Sequence, residues 1–210
     1  MKILILSTSP VTSLFGKELP FDGTECLVKS EVPVNGMDEF DLLIDLTFEE
    51  DGFVPEYLKS LRAPVLIGSV IQTLKEFQDI EVPIARFNHW STFISRKCLE
   101  FSTRNNAPFF ENLFRKLNIP FVQTEDVPGL VTAKTISMII NEAYFALQDE
   151  VSSKEEIDTA MKLGTNYPYG PFEWAAMIGE DKIVQLLLKL AESDPCYKPA
   201  QSFINKSEKS

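Results

Sequence analysis

With 210 residues, 44% of them hydrophobic and 24% charged, the chain is long enough to bury a sizeable core unaided. Disorder, a collagen-like fibre and a transmembrane helix are excluded, because no segment approaches the roughly 18 uninterrupted apolar residues that a span requires. A formal charge of −11 repels phosphodiester backbones and anionic lipid surfaces, so neither a nucleic acid nor a membrane is expected as a partner.

Short apolar runs rich in aliphatic residues predict strands at 3–6, 26–28, 42–46, 65–67, 84–87 and 99–101. The middle runs are apolar on both faces, as in parallel strands covered by helices on each side. Between them, 55–61 and 73–77 have the length and polarity of short crossover helices. Residues 108–117 read as an amphipathic helix, with Phe110, Leu113, Phe114 and Leu117 at three- and four-residue spacing, and a strand follows at 121–123. The first half is therefore an α/β sheet domain.

After the turn Asp126-Val127-Pro128-Gly129 the pattern becomes helical. A helix over 130–148 is apolar around much of its circumference (Ile136, Ile139, Ile140, Ala143, Tyr144, Leu147), which suits burial in a bundle or in a dimer interface. Ser153 with Glu156 three residues on has capping-box spacing, so a helix starts there and is expected to end at Gly164. A rigid loop over 166–171, helices over 172–178 and 181–191, and a fraying tail complete the chain.

Cys26, Cys98 and Cys196 are far apart with no Cys-x-x-Cys pair, and the opening residues carry neither a long apolar core nor a small-residue cleavage site. The expected setting is a reducing cytoplasm, with Cys98 an inert core thiol in its strand. His89 is the single histidine, which excludes a zinc site built on several histidines, and no metal is expected. Glu49, Glu50 and Asp51 in a row fit either a divalent cation or a solvated turn.

The run Ile157-Asp158-Thr159-Ala160-Met161-Lys162-Leu163-Gly164-Thr165-Asn166-Tyr167-Pro168-Tyr169-Gly170-Pro171 resembles the C-terminal domain of 3-hydroxyacyl-CoA dehydrogenases. Asp126-Val127-Pro128-Gly129 and Asn141-Glu142-Ala143 before it, and Asp194-Pro195 after it, stand in the family's order. Upstream, Asp41-Leu42-Leu43-Ile44-Asp45-Leu46-Thr47-Phe48-Glu49 is similar to the family's fourth sheet strand and its acidic turn, and Ala63-Pro64-Val65-Leu66-Ile67-Gly68-Ser69 to the strand that follows. The resemblance implies a shortened Rossmann-like α/β domain over 1–125, an all-α domain over 126–203, and a tail over 204–210. It further implies a homodimer through the helical domain, NAD(H) as cofactor and an acyl-CoA-type substrate, in an oxidoreductase acting on a 3-hydroxyacyl thioester. The alternative is a dimeric scaffold or acyl-CoA-binding module without the redox reaction.

The chemistry requires a base at the 3-hydroxyl and a carboxylate behind it. Cys98-Leu99-Glu100-Phe101 matches the family's strand that carries the glutamate, which assigns that role to Glu100. A gapless count back to the family's histidine lands on Asn88, and a one-residue shift lands on His89. Both remain open, as does a purely structural Glu100. The same comparison assigns substrate contacts to Ser69, Ser91 and Thr132, with Ala133 where the family has an asparagine. Tyr167, Tyr169, Phe172 and Trp174 either pack the core or line an acyl pocket. The first turn reads Ser7-Thr8-Ser9-Pro10 with no glycine until Gly16, which leaves Ser7, Thr8 and Ser9 as the cofactor-side donors and the dinucleotide site degenerate.

Overall fold

A computed structural model describes residues 1–31, 33, 39–49, 57–77, 80–104 and 106–207. Contacts divide the chain into two units, Met1–Leu130 and Val131–Ser210. The division falls later than the expected 125–126 because Arg86 and Val70 bind the 126–129 turn into the first unit.

The first unit is a seven-stranded sheet in the order β4-β1-β5-β6-β7-β8-β9, comprising β1 (Lys2–Leu6), β4 (Glu25–Lys29), β5 (Leu42–Asp45), β6 (Val65–Gly68), β7 (Ile84–Phe87), β8 (Leu99–Thr103) and β9 (Phe121–Gln123). All neighbours are parallel except β7 and β8. Strand alternation sorts the side chains into two cores. Ile3, Ile5, Leu42, Ile44, Leu66, Ala85, Phe87, Leu99 and Phe101 face α2 (Ala107–Lys116), whose Phe114 ring meets Phe101 edge-on at 5.0 Å. Leu4, Leu6, Leu43, Val65, Ile67 and Ile84 face Phe48, Phe77 and Leu58 of the one-turn α1 (Tyr57–Ser60). The expected helix at 73–77 is a 3-10 turn, Leu74–Glu76. Residues 55 and 56 of the other expected crossover helix lie outside the described residues.

Between β1 and β4 the chain makes a small hairpin, β2 (Ser13–Leu14) and β3 (Lys17–Glu18), where a parallel connection ordinarily runs through a helix. Leu14, Phe15 and Phe21 are buried in the α2-side core, and the Phe15 ring meets Phe87 edge-on at 5.2 Å. These aromatic groups fill sheet surface that a crossover helix would otherwise cover.

In the second unit α3 (Thr132–Gln148) packs against α5 (Pro171–Ile178), α6 (Glu180–Ala191) and α7 (Gln201–Ser207), while α4 (Lys154–Thr165) packs against α5. The capping box at Ser153 is present in both directions, with Glu156 N donating to Ser153 Oγ and Ser153 N donating to Glu156 Oε2. Helix α4 runs one residue past Gly164, and Asn166 takes the left-handed C-cap at φ 56°. The expected fraying tail is instead α7, because Phe203 is fully buried and stacks on Tyr144 with ring centroids 3.9 Å apart. No described helix is long and apolar enough to cross a membrane.

Candidate functional site

The sheet's polar chemistry gathers where β6 and β7 end. Arg86 sits in β7 between two apolar neighbours and has no exposed surface. Its Nε donates to Asp126 Oδ1 at 2.6 Å, Nη2 to Val127 O at 2.5 Å, and Nη1 to Ser69 O and Val70 O at 3.2 and 3.3 Å. Burial lowers the guanidinium pKa, and Asp126 opposes that shift, with Glu49 and Glu100 adding to it. One side chain thereby ties the ends of two strands to the 126–129 turn.

Glu49 is not part of a solvated turn in this fold. Its Oε1 accepts from the amides of Val70, Ile71 and Gln72 at 2.6, 2.5 and 3.2 Å, and from Ser69 Oγ at 3.2 Å. Successive amides turned toward one point form a nest for an anion, and here the chain's own carboxylate fills it. Burial raises the Glu49 pKa against the pull of those donors. Glu50 and Asp51 lie outside the described residues. Ser69, expected to meet substrate, is fully buried and donates to Gln72 O at 2.8 Å. A second buried carboxylate, Asp45 at the end of β5, accepts from Thr47 N and Oγ1 at 2.8 Å each and from the Tyr57 hydroxyl.

The register of β7 against β8 pairs Ala85 with Thr103, Arg86 with Ser102 and Phe87 with Phe101. One step further places Asn88 opposite Glu100, on the face of Arg86 and Ser102. Arg86, Asn88, Glu100 and Ser102 are all buried, so this face is a covered polar surface. His89 follows Phe87 instead: a Cβ on Gly68, the residue paired with Phe87, would lie 2.7 Å from His89 Cγ, so the histidine packs over that glycine. Asn88 Oδ1 accepts from Trp90 N at 3.2 Å and closes a tight turn. Within this loop the donors Asn88 Nδ2 and Trp90 Nε1 and the hydroxyl Thr92 Oγ1 are buried with no hydrogen-bond partner, an arrangement that calls for a ligand or an ordered water. Ser91 is exposed, whereas Thr132 opens α3 in the other unit, with Ala133 buried beside it. Cys98 is exposed and precedes β8, so it is not the core thiol expected. Trp174 is buried, with Tyr167 and Tyr169 edge-on at 5.5 and 6.0 Å.

A dinucleotide is normally held over the first strand–helix turn, where free amides and a helix N-terminus meet the pyrophosphate. Here Ser7 N donates to Lys29 O at 2.9 Å, and Ser9 N donates to Ser7 Oγ at 3.2 Å while that hydroxyl donates to Ser9 O. Pro10 has no amide hydrogen, and the chain continues into the β2–β3 hairpin rather than a helix. The hairpin's turn is fixed by Phe15 N donating to Ile94 O at 3.0 Å. These residues do not fit the pyrophosphate in the usual way. An open cavity of about 900 Å³ lies at the opposite, amino ends of β1, β5 and β6, lined by Met1, Phe40, Asp41, Arg62, Phe109 and Lys116, far from this chemistry.

Residues 129–207 match the family described as 3-hydroxyacyl-CoA dehydrogenase, C-terminal domain. Over these residues the chain is similar to 3-hydroxyacyl-CoA dehydrogenases. The 3-hydroxyadipyl-CoA dehydrogenase of Escherichia coli K12 is 52% identical over 69 residues, which are 33% of this chain and 14% of that protein. A crystal structure of 3-hydroxybutyryl-CoA dehydrogenase from Escherichia coli K12 is 30% identical with a TM-score of 0.58, covering 68% of this chain and 31% of that one. The (S)-3-hydroxybutyryl-CoA dehydrogenase of Ralstonia eutropha shares the fold, with 22% identity and a TM-score of 0.66 over 87% of this chain and 69% of that one. The chain thus spans well under half the length of the curated dehydrogenase relatives it matches.

Sequence reasoning missed Arg86, Asp126 and Asp45. The one available signal was an arginine at an inward position of a strand that is otherwise apolar on both faces.

Proposed function

We propose that the chain is a 3-hydroxyacyl-CoA dehydrogenase-like oxidoreductase that takes a 3-hydroxyacyl thioester. The observation that carries this reading is the family match over 129–207, and the buried donors of the 88–92 loop supply groups suited to the substrate's oxygen atoms. In this reading His89, the chain's single imidazole, accepts the hydroxyl proton, since no other side chain of the loop offers a nitrogen base. Asn88 faces Glu100 across β7 and β8 as a separate polar pair, and the exposed Ser91 is a further substrate contact of the same loop. NAD(H) is the redox partner that the family implies. Ser7, Thr8 and Ser9 would face it, but the closed first turn gives no ground for deriving a hydride step. The setting is a reducing cytoplasm and the assembly a homodimer through the helical unit.

The β2–β3 hairpin favours a second reading, in which the protein keeps acyl-thioester recognition and has lost the redox reaction. Calorimetry with NAD and NADP, together with an assay for NADH formed from 3-hydroxybutyryl-CoA, separates the two. Turnover that disappears in His89→Ala supports the first reading. Absence of both cofactor heat and turnover rejects it.

A further inference from the structure

We propose that β4 pairs with β4 of a second copy of this chain, so that two sheets join edge to edge about a two-fold axis through Leu27. Strand β4 ends the sheet, and no described strand lies on its outer side. Glu25 N donates to Met1 O and Lys29 O accepts from Ser7 N, so the backbone groups of Glu25, Leu27 and Lys29 turn inward to β1. By alternation, those of Cys26 and Val28 point outward. Leu27 and Val28 are 42% and 38% exposed, an apolar pair on an open edge. Such an edge is a template for another strand, and most proteins shield it.

The strand's five residues, Glu25-Cys26-Leu27-Val28-Lys29, are complementary to themselves when antiparallel. Centring the pairing on Leu27 places Cys26 opposite Val28 of the second copy, and these residues hold the outward amides and carbonyls, so each such pair exchanges both backbone hydrogen bonds. Leu27 then faces Leu27 in a non-hydrogen-bonded pair, where side chains approach most closely. Glu25 faces Lys29 of the second copy at both ends, and opposite charges directly across an antiparallel pair stabilise it. Neither residue is in an ion pair among the described residues. A register shifted by one or two residues loses the charge match, so the edge specifies one partner and one alignment. A self-complementary patch is what a closed two-fold assembly requires.

The test is the solution mass of the full chain, measured by sedimentation equilibrium at high protein concentration. Glu25→Lys alone or Lys29→Glu alone places like charges opposite one another and halves the assembly mass. The double variant Glu25→Lys with Lys29→Glu restores it, an outcome that loss of folding cannot imitate. Leu27→Lys halves the mass as the single reversals do. Pairing through the helical unit is untouched by these changes, so the readout is the two-fold change itself. A mass unaffected by the single reversals, or one that the double variant fails to restore, overturns the proposal.

Discussion

Arg86 is a cation without exposed surface, and four acceptors from two loops converge on it. Arg86→Met leaves Asp126 and the buried carbonyls without their donor, so the sheet unit loses about 3–5 kcal/mol of stability, measured by urea unfolding. Glu49 makes a prediction of opposite character. Burial raises its folded pKa above the ordinary value of 4.5, so its contribution is complete below that value and is lost as pH rises through the raised one. Glu49→Gln keeps an acceptor for the 70–72 amides and removes this proton linkage. Unfolding midpoints of the unaltered chain should therefore fall relative to Glu49→Gln as pH rises above 4.5, and parallel curves would refute the linkage. Neither role was legible in the sequence. An arginine in a strand and a glutamate in an acidic run each have an ordinary surface explanation, and only the register of β7 and the amide geometry after β6 distinguish them from it.

The regular elements were the most legible, because burial on both faces of β1, β5, β6 and β7 leaves a mainly apolar run in each strand, interrupted by Asp45 in β5 and Arg86 in β7. The hairpin was not, since strands of two residues are too short to express a period, and Phe15 and Phe21 read as ordinary loop aromatics. Helix α7 was hidden for a similar reason: its anchor is one residue, Phe203, stacked on a tyrosine far away in sequence. The segment leading into it is fixed by Asn141 of α3, whose Nδ2 donates to Lys198 O at 3.0 Å and whose Oδ1 accepts from Ala200 N at 2.9 Å. Asn141→Ala strands the buried Ala200 amide and costs the helical unit about 1–3 kcal/mol. Hydrogen exchange at Ala200 should accelerate by a matching factor, and unchanged protection would show that the bond carries no weight.

At the scale of the molecule, each unit has its own core and its own tryptophan, Trp90 in the sheet and Trp174 in the helices, both buried. Followed in Trp174→Phe, Arg86→Met should lower the midpoint reported by Trp90. Followed in Trp90→Phe, Asn141→Ala should lower the one reported by Trp174. Each substitution is expected to act more strongly on the reporter of its own unit, and equal shifts in both would mean that the units unfold as one. The candidate site was less legible than either core because it depends on which face of the sheet each residue takes after β7. In the helical unit, Gly170 has an ordinary φ of −74°, yet a Cβ there would lie 2.3 Å from the Asp158 carboxylate, which accepts Phe172 N at the start of α5. The glycine of the Tyr-Pro-Tyr-Gly-Pro run is thus required by crowding between two helices. The stretch that carries much of the likeness to 3-hydroxyacyl-CoA dehydrogenases is therefore a joint in the scaffolding, and a side chain placed at Gly170 would push α4 and α5 apart.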